Sequence, residues 1–224
     1  MARHARGFDT DAAHAHLARR DRKLGRWMER LGPIAPEPRW RQRFDPVDAL
    51  ARAILYQQLS GKAAATIVGR VEAAIGSARL HADTLSRCDD ARLRASGVSG
   101  NKLLALRDLS LRESRGEIPT LAEMARMDEA AIVDALVPVR GIGRWTVEMM
   151  LMFRLGRPDV LPVDDLGVRK GAQRVDRLDA MPTPRELAER GERWGPYRTY
   201  AAMYLWRIAD AASATAAPTK RSQD

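Results

Sequence analysis

Leu136-Val-Pro-Val-Arg-Gly-Ile-Gly-Arg-Trp-Thr-Val-Glu-Met-Met-Leu-Met-Phe153 is the stretch on which the reading of this chain turns. Apolar spacing places one helix at about 129–136 and starts a second directly after Gly143. Val139-Arg140-Gly141-Ile142-Gly143 must therefore reverse the chain between them. Two glycines separated by one apolar residue permit a tight turn whose N–H groups point outward at a helix N-terminus. Such a turn grips a phosphate through backbone alone, with Arg140 and Arg144 beside it and Ile142 anchoring it to a core. Many Gly-x-Gly turns are plain connectors, and the residues alone leave both uses open.

Working outward, helical periodicity dominates. Val47, Leu50, Ala51, Ile54 and Leu55 form one stripe, and Ala64, Ile67, Val68, Val71 and Ile75 form another after Gly61. Tyr197, Tyr200, Ala201, Tyr204, Leu205 and Ile208 form a third, and Thr183-Pro184 reads as a helix start. No alternating strand pair and no Asn-Gly or Asp-Gly hairpin stands in the chain. The expected fold is all-α, with about ten helices and short connections. Residues 1–45 read as an N-terminal helix plus a proline-rich loop (32–45) packing on the C-terminal lobe. A helical lobe follows at 46–135. The hairpin, an Asp pair and the C-terminal helices occupy 136–213, and a disordered tail 214–224.

Composition narrows the function classes. The 224 residues carry 45% apolar and 30% charged side chains, an ordinary globular balance. No apolar run approaches the roughly 20 residues of a membrane span. Met1-Ala-Arg-His-Ala-Arg6 lacks a signal-peptide core, so a cytoplasmic location is expected, at the nucleoid if the source is bacterial. The single cysteine, Cys88, excludes an intramolecular disulfide and any all-cysteine iron–sulfur or zinc site. The net charge is +9, and only five of the 38 basic residues are lysine (23, 62, 102, 170 and 220). Arginine excess suits a polyanion partner, since its planar fork matches phosphate, although biased codon usage also produces it.

The second informative segment is Leu161-Pro-Val-Asp-Asp-Leu-Gly-Val-Arg-Lys170. By itself an Asp pair here reads first as a helix cap. Taken in order with Val137-Pro-Val-Arg-Gly-Ile-Gly-Arg-Trp-Thr146, it resembles the helix-hairpin-helix DNA glycosylase superfamily. Within that superfamily it is most similar to the DNA-3-methyladenine glycosylase II branch. The resemblance runs from about Asp45 to Arg207 and includes Ile54-Leu-Tyr-Gln-Gln-Leu-Ser-Gly-Lys-Ala63 and Trp194-Gly-Pro-Tyr-Arg198. It implies a two-lobed helical fold with the active site in the cleft between lobes. It also implies excision of alkylated purines from double-stranded DNA by a monomer that requires no cofactor. A glycosylase for another lesion class and a non-catalytic DNA-binding protein are the alternatives.

The resemblance also implies roles for single residues. The family's catalytic carboxylate is followed three residues on by an aliphatic side chain. Asp165, with Val168, meets that pattern, whereas Asp164 meets Gly167 and is read as a cap. A carboxylate suits the positive charge that develops on the sugar during N-glycosidic cleavage. Backbone-cutting members carry a Lys where this chain has Trp145, which implies a monofunctional enzyme. Trp145 and Trp206 are expected to line the base pocket, stacking on a cationic base, although Trp206 also reads as core. Met149 is placed in the same pocket, where the family has a tyrosine.

Gln57, Gln58 and Leu59 match the element that fills the gap left by the extruded nucleotide, with Gln58 the first choice and Leu59 the next. Adjacent glutamines also read as a polar helix end. Lys102, in Ser99-Gly-Asn-Lys102, is expected to hold a further phosphate, alongside Arg140, Gly141, Gly143 and Arg144. The carbonyls of Val137, Val139 and Ile142 are expected to bind a structural monovalent cation, Na+ or K+. The β-rich N-terminal domain of longer branch members has no counterpart in these residues.

Overall fold

Each segment with apolar residues at helical spacing is helical. The computed structural model describes residues 4–215. Among them are thirteen α-helices and two short 3-10 turns, with no strand. The excess over ten comes from Ala82–Leu85, Asp90–Ala95 and Leu121–Met124 (α5, α6, α8), helices too short for periodicity to register. No helix among the described residues is long and apolar enough to cross a membrane.

The chain divides into two units, one built on Gln42–Met150 and the other on Arg6–Arg41 with the chain from Leu151 onward. The lobe boundary expected near 135 is thereby corrected, because the hairpin groups with the first unit. The cause is local packing. Val139 and Ile142 are buried, and the Arg140 N–H reaches Asp108 on Gly100–Ser114 (α7) at 2.8 Å.

In the first unit, Pro46–Tyr56 (α3) and Gly61–Ile75 (α4) start at the side-chain caps Asp45 and Ser60. All five members of the 47–55 stripe are buried. Glu129–Leu136 (α9) and Arg144–Phe153 (α10) flank the hairpin.

In the second unit, the single N-terminal helix expected from the sequence is two, Thr10–Arg20 (α1) and Arg22–Leu31 (α2). Asp21 separates them with an extended backbone, and its carboxylate caps α2 by accepting from the Lys23 and Leu24 N–H groups. The 32–45 loop contains a 3-10 turn at Pro38–Arg41. Trp40 is buried there, its indole N–H donating to the Met152 carbonyl at 2.7 Å.

Leu166–Asp176 (α11) lies along Arg198–Thr215 (α13), and Gly171 brings the two backbones together, since a β-carbon there would collide with Leu205. Pro184–Gly191 (α12) starts with a full capping box between Thr183 and Glu186. Residues 214 and 215, expected in the unstructured tail, close α13, and the tail from 216 lies outside the described residues.

Buried charge fastens this unit. Arg190 joins Asp21 and Asp176, and the Trp194 indole N–H donates to Asp21 at 2.8 Å. Trp194, expected to support the lobe, is fully buried.

Candidate functional site

The hairpin follows its sequence reading closely. Ile142 donates to the Val139 carbonyl at 3.0 Å, and the Gly143 carbonyl accepts from Thr146 and Val147, opening α10. Gly141 has φ +78°, a left-handed conformation that favours glycine. Gly143 needs no such freedom, and a β-carbon there meets nothing within 4 Å. The first amides of a helix have no intrahelical partner and carry its positive dipole end. Arg140 and Arg144 are exposed beside them, Arg144 lying 4.0 Å from Glu148. This end of the hairpin suits an anion.

The carbonyls of Val137, Val139 and Ile142 supply neutral oxygens. Val139 already accepts one N–H, and a carbonyl oxygen carries two lone pairs. Among the described residues no His, Cys, Asp and Glu group suits a metal ion. Neutral carbonyl oxygens are donors that suit a hard cation better than a transition metal.

The wedge candidates sit on the loop between α3 and α4. Gln57 ends α3 and turns inward, its side-chain amide donating to the Gly141 carbonyl at 2.7 Å. Gln58 holds φ +57°, strained for a residue with a β-carbon, and is exposed. Leu59 is 39% exposed, an apolar side chain presented to solvent. Gln57 is thus a brace of the hairpin, leaving Gln58 and Leu59 at the tip.

Lys102 departs from expectation. Its ammonium is turned onto the Leu55 carbonyl at 2.7 Å, capping α3, and desolvation there lowers its pKa. In this structure the lysine serves as a C-cap of α3. Asp108, which sequence reading missed, accepts the Arg140 N–H. Burial works against its charge, but the Arg140 amide and the Arg112 guanidinium outweigh it and hold its carboxyl below the usual range.

The Asp pair is resolved by the start of α11. Asp165 is the N-cap, and its Oδ1 accepts the Val168 N–H at 2.9 Å and the Trp206 indole N–H at 2.8 Å. Asp164 is exposed, and the capping role read for it passes to Asp165. Gly167, also missed, makes room for the indole, since a β-carbon there would lie 2.7 Å from Trp206 Cδ1. Its signal was a glycine in the first turn of a helix. Phe153 stacks on Trp206 with centroids 5.9 Å apart, and the Arg39 guanidinium lies over the Phe153 ring at 5.0 Å. Trp206 is therefore a hydrogen-bond donor as well as an aromatic surface.

Trp145, in the first turn of α10, is 50% exposed, and Met149, one turn on, is half-buried. A half-exposed indole is poorly explained by core packing and well suited to stacking on a ligand.

Residues 51–196 match the HhH-GPD superfamily base excision DNA repair protein family. The chain is 34% identical over 204 residues to DNA-3-methyladenine glycosylase 1 of Schizosaccharomyces pombe, covering 91% of this chain and 89% of the relative. Among solved structures, the DNA-3-methyladenine glycosidase of Bacillus halodurans superposes with a TM-score of 0.81 at 33% identity, covering 92% of this chain and 94% of that one. The S. pombe 3-methyladenine DNA glycosylase in complex with abasic DNA superposes with a TM-score of 0.76 at 34% identity, over 93% and 100%. With its hairpin, Asp165 at the N-cap of α11 and these relatives, the chain belongs to the HhH-GPD superfamily of base excision DNA repair proteins.

Proposed function

We propose that this protein is a monofunctional DNA glycosylase that releases alkylated purines of the 3-methyladenine type. The observation that carries the proposal is Asp165, a carboxylate whose Oδ1 is fixed by one backbone and one indole N–H. In the reaction the bond between C1′ and the base nitrogen breaks. Its electron pair leaves with the base and neutralises the charge that alkylation had placed there. The sugar becomes oxocarbenium-like, which a fixed carboxylate stabilises, and water adds to C1′ with loss of a proton. Trp145, at the position of the lyase lysine, offers no amine for a Schiff base, so the product is an intact abasic site. Its exposed indole favours an electron-poor, extruded base.

The hairpin would hold a backbone phosphate, with Na+ or K+ on the carbonyls of Val137, Val139 and Ile142 offsetting their dipoles. The net charge of +9 supports a double-stranded DNA partner, and a cytoplasmic monomer is part of the same reading.

The test is release of 3-methyladenine from methylated duplex by the wild type and by Asp165→Asn. Release by the wild type alone supports the proposal. Equal release by both would move the chemistry elsewhere, and release by neither would leave a DNA-binding module without catalysis.

A further inference from the structure

Three residues on successive turns of α7 each hold something outside that helix. Lys102 Nζ donates to the Leu55 carbonyl in the last turn of α3 at 2.7 Å. Ala105 lies under the hairpin, its Cβ 3.3 Å from where a β-carbon on Gly141 would stand. Asp108 Oδ2 accepts the Arg140 N–H at 2.8 Å and is steadied by Arg112 at 3.0 Å. Gln57 then closes the ring, its amide reaching from the end of α3 to the Gly141 carbonyl at 2.7 Å.

The circuit runs from α3 through Lys102 to α7, through Asp108 to Arg140 and Gly141, and back through Gln57. All of it lies in one unit. The two backbone segments it ties together are the anion-holding turn and the loop that presents Gln58 and Leu59.

Stability alone accounts poorly for this arrangement. The last carbonyls of a helix can be satisfied by water or by a tightened final turn, so a lysine is not required there. Here the ammonium is partly desolvated, which disfavours its charged form. The loop it steadies also keeps the strained backbone of Gln58, and such strain persists only where the surroundings over-determine it.

We infer that Lys102 and Asp108 are positioning residues. Through α7 they set the separation between the phosphate-gripping turn and the Gln58–Leu59 tip, so that a gripped strand meets the tip at the lesion. The inference rests on the proposed glycosylase reading. It predicts a specific defect, loss of preference for a duplex with a gap in its stack rather than loss of general affinity.

The experiment compares binding of the full chain to two duplexes of equal length, one intact and one with a tetrahydrofuran abasic analogue. A 2-aminopurine beside the gap reports insertion. Lys102→Met and Asp108→Ala should each lower the preference for the gapped duplex by about tenfold, the scale of one lost charge-assisted bond. Affinity for intact duplex, set by phosphate contacts, should change less than about threefold.

Asp108→Asn keeps an oxygen for the Arg140 N–H and should largely restore the preference. Because a circuit opens once, Lys102→Met with Asp108→Ala should be little worse than either alone. Should either variant melt early, Gln57→Ala, which removes only the third link, should reproduce the loss. Wild-type preference in Lys102→Met, additive losses in the double variant, or absence of preference in the wild type would each overturn the inference. Failure of base release with the preference intact would instead count against the proposed chemistry.

Discussion

The indole N–H of Trp206 and the backbone N–H of Val168 converge on a single oxygen of Asp165, at 2.8 and 2.9 Å. Two donors on one oxygen fix the orientation of the carboxylate. The indole reaches it only because residue 167 is glycine, where a β-carbon would press on Trp206 at 2.7 Å. Chemistry and helix capping thus share one side chain, and substitutions at Asp165 test both.

Asp165→Asn separates the two roles. Asparagine caps as well as aspartate and still accepts the indole N–H, so the melting temperature should hold. Base release should fall by at least about 100-fold, the scale of one removed electrostatic stabiliser. Asp165→Ala should also lose about 1 kcal/mol of stability with the cap. Single-turnover release and thermal melting decide it, and a stable Asn variant with full activity would exclude Asp165 from the chemistry.

Trp206→Phe should keep the stack on Phe153 but remove the donor, slowing base release about tenfold with little change in substrate affinity. Gly167→Ala should produce a similar slowing by displacing the indole, with about 1–3 kcal/mol of destabilisation from overpacking. Unchanged rates in both would confine Trp206 to packing.

The two hairpin glycines should behave differently. Gly143→Asp adds a β-carbon in open space, so the fold should tolerate it, while a carboxylate facing the phosphate weakens DNA binding by about 2 kcal/mol. Gly141→Ala should instead cost about 1–2 kcal/mol of stability, because it forces a side chain into φ +78°. Titration of labelled duplex and melting curves separate the effects. A folded Gly143→Asp with normal affinity would make the hairpin a connector.

Salt should weaken DNA binding steeply. Each phosphate contact contributes a slope of about −0.9 in log affinity against log salt, so several contacts at the hairpin and its arginines give a large negative value. A flat response between low and physiological salt would contradict the phosphate role.

Acid should loosen the second unit. Burial works to raise the Asp21 and Asp176 carboxyls. For Asp21 the Trp194 indole, the Leu24 amide and Arg190 outweigh burial, and for Asp176 Arg190 and Lys23 do so, leaving both below the usual range. Depressed carboxyl pKa values add stability that is present above the unfolded value of about 4 and lost as pH falls through the folded values. Melting should therefore drop below about pH 5. Arg190→Met, which strands two buried carboxylates, should cost about 3–5 kcal/mol at neutral pH and flatten that acid dependence. Parallel melting curves for wild type and variant would refute the coupling.

Local signals in the chain were sufficient for several of the longer helices and for the turn. The 47–55 stripe, the Thr183-Pro184 helix start and the Gly-x-Gly reversal depend on neighbours within a few residues, and all three stand in the structure. The Asp165-to-Val168 spacing is the distance from an N-cap to the third amide of its helix, so the structure gives Asp165 the capping role that the sequence reading placed on Asp164.

Partners distant in sequence were decided only by tertiary structure. Nothing near Lys102 marks it for a carbonyl 47 residues away rather than a phosphate. Nothing near Trp206 marks it for a carboxylate 41 residues earlier. The break at Asp21 and the grouping of the hairpin with the first unit have the same origin. Periodicity records which face of a helix is apolar. Where a polar or charged tip ends is set by which backbone the packed helices bring within hydrogen-bond reach, and by the cost of leaving it unpaired once buried.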